Sequence, residues 1–294
     1  MRIAINKHTC LVILAMLFLL EDHYGQSPNS LLSAEIINLE ELENEPAYQW
    51  TIVPTYSWSF FNHGRDSWQK ESVDLYYYLP EEKLLLGGSV DMMHRPPNGD
   101  DIIYAFNASW YAHNDLEIHG EIGLTQDANF LPSERYSLGL EYRLNPKLGF
   151  LFDVEQLNFG SYAPTWEEDS ITQIKSGISY WFTENTFATF RYTHGWVHDQ
   201  ADFDCYSAAI VFGDLPRDGQ LSIGISYGTD PDLDFGTTST ALSDAYTFNI
   251  FYKEPIKPNL TLFAGLEYVY RFQPTNNHEL YQMWTPTIGI SWKF

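Results

Sequence analysis

The sequence has no apolar run long enough to cross a bilayer as a helix. Its longest stretch without a polar residue is Cys10 to Leu20, eleven residues, against about 20 for a spanning helix. A helical membrane protein is thereby excluded. Cysteine is nearly missing too: only Cys10 and Cys205 occur, and no CxxC pair stands ready for zinc or thiol redox chemistry. Positive charge is scarce, with 16 Lys and Arg against 39 Asp and Glu and a net charge of -23. That balance argues against nucleic acid, whose phosphates are held by Lys and Arg.

The chain opens on an export signal. Arg2 and Lys7 precede the apolar Cys10 to Leu20 run, the basic-then-apolar order of a secretory leader. Small residue Gly25 marks the expected cut, so residues 1–25 read as a signal peptide. Cleavage would remove Cys10 and leave Cys205 alone, which rules out a disulfide within the chain. Residues 26–49 read as a short acidic periplasmic segment carrying Glu35, Glu40, Glu41, Glu43 and Glu45.

From residue 50 to 294 the polarity alternates with period two. Ile118, Gly120, Ile122 and Leu124 oppose Glu117, His119 and Glu121. Leu138, Leu140, Tyr142 and Leu144 oppose Glu141 and Arg143, and Leu260 to Phe272 repeats the pattern over Glu267 and Arg271. Period two over such lengths means β-strands. Turn residues cut the strands in two alternating classes. One is short: Pro80-Glu81-Glu82, His113-Asn114-Asp115, Asn145-Pro146-Lys147, Thr183-Glu184-Asn185, Leu215 to Gly219, and Lys257-Pro258-Asn259. The other is mostly long and polar: Asn62 to Asp66, His94 to Asp101, Gln126 to Glu134, Phe159 to Ser170, Trp196 to Phe203, Thr229 to Asp244, and Gln273 to Glu279.

Short turns on one rim and long loops on the other are the asymmetry of outer-membrane barrels. The fold class expected is therefore all-β, a transmembrane antiparallel up-and-down barrel of about fourteen strands, or twelve if two ragged segments fail to pair. Turns would be periplasmic and long loops extracellular. Ile288, Ile290, Trp292 and Phe294 share one face, and a terminal Phe on an alternating last strand reads as the signal for barrel insertion. Tyr76, Tyr77, Tyr78, Trp181, Trp284 and Trp292 are expected in the interfacial aromatic belts.

Three segments resemble the YaiO-like outer-membrane β-barrel family. They are Trp58-Ser59-Phe60-Phe61 followed by Trp68, Phe130-Leu131-Pro132-Ser133-Glu134-Arg135-Tyr136, and Gly224-Ile225-Ser226-Tyr227-Gly228-Thr229-Asp230-Pro231-Asp232. The resemblance runs roughly from Trp50 to Phe294 and implies an outer-membrane location. It brings no activity and no catalytic residues.

The face opposite the lipid is expected to line a lumen with Glu117, His119, Glu121, Glu141, Arg143, Lys175, Arg191, Glu267 and Arg271, joined by Asp74, Asp91, Asp153 and Glu155. By this reading acids outnumber bases about two to one, which suits a passive channel for small hydrophilic or cationic solutes. The Phe159 to Ser170 loop could fold inward as its constriction. The alternative is a non-conducting surface scaffold with acidic loops that bind divalent cations, lipopolysaccharide or a protein.

Asp230, Asp232 and Asp234 have alternate spacing suited to one weakly held divalent cation. An EF-hand is excluded, because Phe235 stands where Gly is required and Ala241 where Glu is required. His194, His198 and Asp199 form the best local cluster for catalysis, but no nucleophile signature accompanies them. The expectation is no enzyme and no cofactor. The partners expected are outer-membrane lipids, lipopolysaccharide and the barrel-insertion machinery, not nucleic acid.

Overall fold

A computed structural model describes residues 50–80, 82–97, 99–113, 115–126, 128–159, 170–197, 202–213, 219–232, 241–273 and 278–294. The expected signal peptide and acidic segment lie outside these residues. Fourteen strands run in chain order: β1 (Trp50–Phe61), β2 (Trp68–Leu79), β3 (Leu84–Arg95), β4 (Gly99–His113), β5 (Leu116–Gln126), β6 (Glu134–Asn145) and β7 (Leu148–Asn158). They continue with β8 (Ser170–Thr183), β9 (Thr186–Val197), β10 (Asp202–Gly213), β11 (Gln220–Asp232), β12 (Ala241–Lys257), β13 (Leu260–Gln273) and β14 (His278–Lys293).

Each strand pairs antiparallel with its neighbours in sequence, and β1 pairs with β14, so the sheet closes on itself. Fourteen strands, not twelve, make the barrel. The seam is held to its end: Trp50 N–H donates to Phe294 O at 3.1 Å, and Phe294 N–H donates to Trp50 O at 2.9 Å. Closure leaves no sheet edge, which in hydrocarbon would expose unpaired backbone groups.

The alternation sorts the two faces. On β4, Tyr104, Phe106 and Trp110 point outward while Asp101, Asn107 and Ser109 point inward. Phe106 is 68% exposed and the adjacent Asn107 only 8%. The exposed face is apolar, while the enclosed face mixes charged and polar side chains with buried apolar ones, so the charges are kept from the lipid side. Large inward rings find room over glycines of the next strand. Phe263 lies over its pairing partner Gly289, where a Cβ would come within 2.1 Å of the ring.

Two features of the sequence reading change. Tyr76 (1% exposed), Tyr78 (in register with buried Leu85) and Trp181 (8%) face inward and do not belong to an interfacial belt. Tyr76 shares its parity with Asp74, and Trp181 packs against Phe187 and under Arg143. Several expected loops are also shorter, because strand pairing continues into them. His94 and Arg95 still pair with Asp100 and Gly99, and β11 and β12 pair from Thr229–Asp244 out to Asp232–Ala241.

Candidate functional site

The inward face of β5 to β9 carries an interlocked charge lattice. One row joins Glu117 and His119 of β5, Asp153 of β7 and Arg191 of β9. His119 Nδ1 lies 3.3 Å from Glu117 Oε1, and His119 Nε2 lies 2.7 Å from Asp153 Oδ1. Arg191 Nη1 donates to Asp153 Oδ2 at 2.9 Å. The row crosses β6 at Gly139, which pairs with both His119 and Asp153. It crosses β8 beside Gly177, the partner of Arg191. A Cβ at Gly139 would stand 2.2 Å from both bridging atoms, so only glycine leaves the gap open.

A second row lies nearer the long-loop rim. Arg135 Nε of β6 is 2.7 Å from Glu155 Oε1 and 3.5 Å from Glu121 Oε1. Lys175 Nζ donates to Glu155 Oε2 at 2.7 Å. Towards the short-turn rim, Glu141 pairs in register with Glu117, and the Arg143 guanidinium sits 4.5 Å above the Trp181 ring. Enclosing such charges costs desolvation energy, and the lattice offsets it through close, mutually hydrogen-bonded pairs.

The opposite wall is largely uncharged. Ser222, Ser226, Thr247 and Asn249 face inward from β11 and β12. Thr287 and Thr285 of β14 exchange hydrogen bonds with Ser57 and Ser59 of β1 at 2.9 and 2.8 Å. On β13, Glu267 pairs in register with Asn249, and Arg271 Nη1 donates to Ser243 Oγ at 3.0 Å.

Four inward cations escaped the sequence reading: Lys70, Arg95, Arg135 and Lys253. Each follows the parity of its strand, so the signal was present; Lys70, Arg95 and Arg135 stand at strand ends, where turn and strand are hard to separate, while Lys253 lies inside β12. With them, basic groups nearly match acidic ones on the described inward face, and the expected two-to-one acid excess disappears.

A further missed residue organises the outer mouth. Asp101 is 0% exposed and its carboxylate holds the β5–β6 loop. Oδ1 accepts from Asn129 N–H at 2.8 Å and Asn129 Nδ2 at 2.9 Å. Oδ2 accepts from Phe130 N–H at 3.1 Å and Leu131 N–H at 2.9 Å. Phe130 and Leu131 thereby pack on inward-facing Met93 and Ile103. Of the loop expected as a constriction, Phe159 packs with Leu157, Ile171, Val197 and Phe203, while residues 160–169 lie outside the described ones.

Asp234 also lies outside the described residues, and for Asp230 and Asp232 only the backbone pairing is described. Among the described residues, no group of three or more His, Cys, Asp or Glu is placed to hold a metal ion. His194 faces outward, 2.9 Å from Asp204, which also accepts the Tyr192 hydroxyl at 2.6 Å. Its expected companions His198 and Asp199 lie outside the described residues. Phe294, besides closing the seam, sets its ring 5.5 Å from that of Trp292 on the outward face.

Together, the closed sheet, the outward apolar belt and the charged groups held inside define a β-barrel of the outer-membrane class. No protein-family model matches the chain, and no curated relative matches it. Solved structures similar to it include the CymD monoaromatic hydrocarbon channel, with a TM-score of 0.58 and 10% identity over 85% of this chain and 89% of that one. Another is a bacterial polysaccharide outer membrane secretin, with a TM-score of 0.56 and 9% identity over 85% of this chain and all of that one. At such identities the likeness is one of fold.

Proposed function

We propose that this protein is a passive outer-membrane channel for small hydrophilic solutes. The supporting observation is the two-walled lumen, with the charge lattice of β5 to β9 facing the hydroxyl and amide wall of β11, β12, β14 and β1. Such a surface offers donors and acceptors to a hydrated solute along its path without one dominant sign of charge. Because basic groups nearly balance acidic ones there, the proposal carries no cation preference. A non-enzymatic role, the YaiO-like membership, the export signal of residues 1–25 and the insertion role of Phe294 belong to the same reading. One of the similar folds is itself described as a channel.

A second reading has its own support. The lattice ties five consecutive strands together, as a non-conducting scaffold would require. In that case the acidic loops, including Asp230, Asp232 and Asp234, would engage divalent cations, lipopolysaccharide or a protein. Single-channel conductance of the refolded protein in planar bilayers decides between them. Stable steps support the channel. Silence from protein shown to be folded by heat-modifiable gel mobility removes it and leaves the scaffold.

A further inference from the structure

The seam between β1 and β14 is broken twice inside the wall. Its partners are Thr51 with Lys293 and Ile52 with Trp292, then Thr55 to Ser57 with Gly289 to Thr287, then Phe60 with Trp284 and Phe61 with Met283. The other described pairings are irregular only near strand ends. Prolines account for both breaks. Trp50 and Phe294 exchange both backbone bonds, so bonded pairs recur at every second residue along this antiparallel seam. That phase sets Pro54 opposite Ile290 and Pro286 opposite Trp58. Neither proline has an N–H, so Ile290 O and Trp58 O each lose their ladder donor. The other strand prolines, Pro231 and Pro255, stand near the ends of β11 and β12.

Side chains and the two ends hold the seam instead. On the lumen side, the hydroxyl pairs Ser57 with Thr287 and Ser59 with Thr285 flank the Pro286 level at 2.9 and 2.8 Å. Thr55 meets Gly289, which has no side chain to bond, and its hydroxyl has no hydrogen-bond partner. At the long-loop end, Asn62 N–H donates to Gln282 O at 3.1 Å, and Gln282 N–H donates to Asn62 Oδ1 at 2.8 Å. The exchange between Trp50 and Phe294 closes the short-turn end. Both prolines are exposed on the outward face, where hydrocarbon supplies no water to replace a missing backbone bond. Each break therefore weakens the wall at membrane depth.

We infer that the wall parts at this seam, between its two pinned ends, and opens the lumen sideways to the lipid. The hydroxyl pairs that stitch it can pass their bonds to water in the lumen, so parting exchanges those bonds and does not simply forfeit them. The inference goes beyond the channel reading, since a scaffold with the same seam would open in the same way.

The test uses the refolded full-length protein in lipid vesicles that contain a phospholipid with a maleimide midway along one acyl chain. In a Cys205→Ser background, Thr55→Cys sets a thiol on the lumen side of the seam and leaves the hydroxyl stitches in place. Ser89→Cys sets one on the lumen side of β3, where pairing to β2 and β4 is unbroken. The lipid-borne maleimide labels Thr55→Cys at least about tenfold faster than Ser89→Cys, as expected for two missing backbone bonds. Pro54→Val with Pro286→Val restores both N–H groups and removes the difference. Equal rates, or a difference that survives both substitutions, overturns the inference. Should the cysteine variants fail to fold by gel mobility, hydrogen exchange of the unaltered protein decides. The Tyr56 and Ile288 amides, a bonded pair of the seam, then exchange faster than amides inside the β3–β4 wall, and equal protection overturns the inference. Neither measurement requires conduction, so a silent bilayer removes the channel reading and leaves the seam.

Discussion

His119 of β5 and Asp153 of β7 meet at 2.7 Å across an intervening strand, because β6 places Gly139 directly between them. The contact links two strands that share no backbone hydrogen bond. It also makes the glycine a structural requirement of the lumen for reasons of space.

Gly139→Ala is therefore expected to destabilise the barrel. The added methyl would have to displace the imidazole or the carboxylate, at a cost of about 1–3 kcal/mol typical of overpacking. Gly88→Ala is the matched control, since a Cβ there meets nothing closer than 3.7 Å. Urea unfolding in lipid vesicles should show a lower midpoint for Gly139→Ala and a nearly unchanged one for Gly88→Ala. Equal midpoints would sink the argument from space.

Arg135 stands between Glu121 and Glu155, and Arg135→Met would leave both carboxylates enclosed without that cation. Breaking a buried pair from one side costs about 3–5 kcal/mol, with a smaller loss expected where the lumen admits water. Adding Glu155→Gln should recover part of the loss, giving a coupling of about 0.5–3 kcal/mol in a double-mutant cycle. Strict additivity would show that the pair contributes nothing to stability.

The outward assignment of the apolar face is tested at the middle of β4. Phe106→Arg places a charge in the lipid belt, at about 2–4 kcal/mol near the bilayer midplane. The neighbouring Asn107→Asp keeps its charge inside. Folding into vesicles, followed by gel mobility, should fail or weaken for the first and persist for the second. Similar yields from both would contradict the assignment of faces.

Phe294→Ala retains the backbone bonds that close the seam and removes only the ring. Refolding into detergent should be nearly unaffected, while the folded fraction recovered from cell envelopes should fall severalfold. A parallel drop in both would make the ring a stability element, with no separate part in insertion.

Much of the barrel was legible in the sequence because its solvent is unusually demanding. Lipid accepts only apolar side chains and enclosed backbone, so Leu260 to Tyr270 had to alternate against Glu267, and each strand had to end at a recognisable turn. Strand type, strand number and the facing of Glu121 or Arg143 follow from such local pattern. The limits are equally local. Tyr76 and Trp181 looked like belt residues because an aromatic near a strand end suits either face, and only the parity within the closed sheet decides. Lys70, Arg95 and Arg135 stand beside turns, where local pattern alone does not show that the strand has begun.

What the tertiary structure alone decided is which inward residues meet. Glu117, His119, Asp153 and Arg191 come from three strands, and their contacts depend on register and on the stagger that closes the barrel, both properties of the whole sheet. The same holds for Asp101, which captures three loop residues 28 to 30 positions away, and for Arg95 between Trp68 and Phe130. Period two states which way a side chain points. Only closure of the sheet brings distant side chains to one height in the lumen.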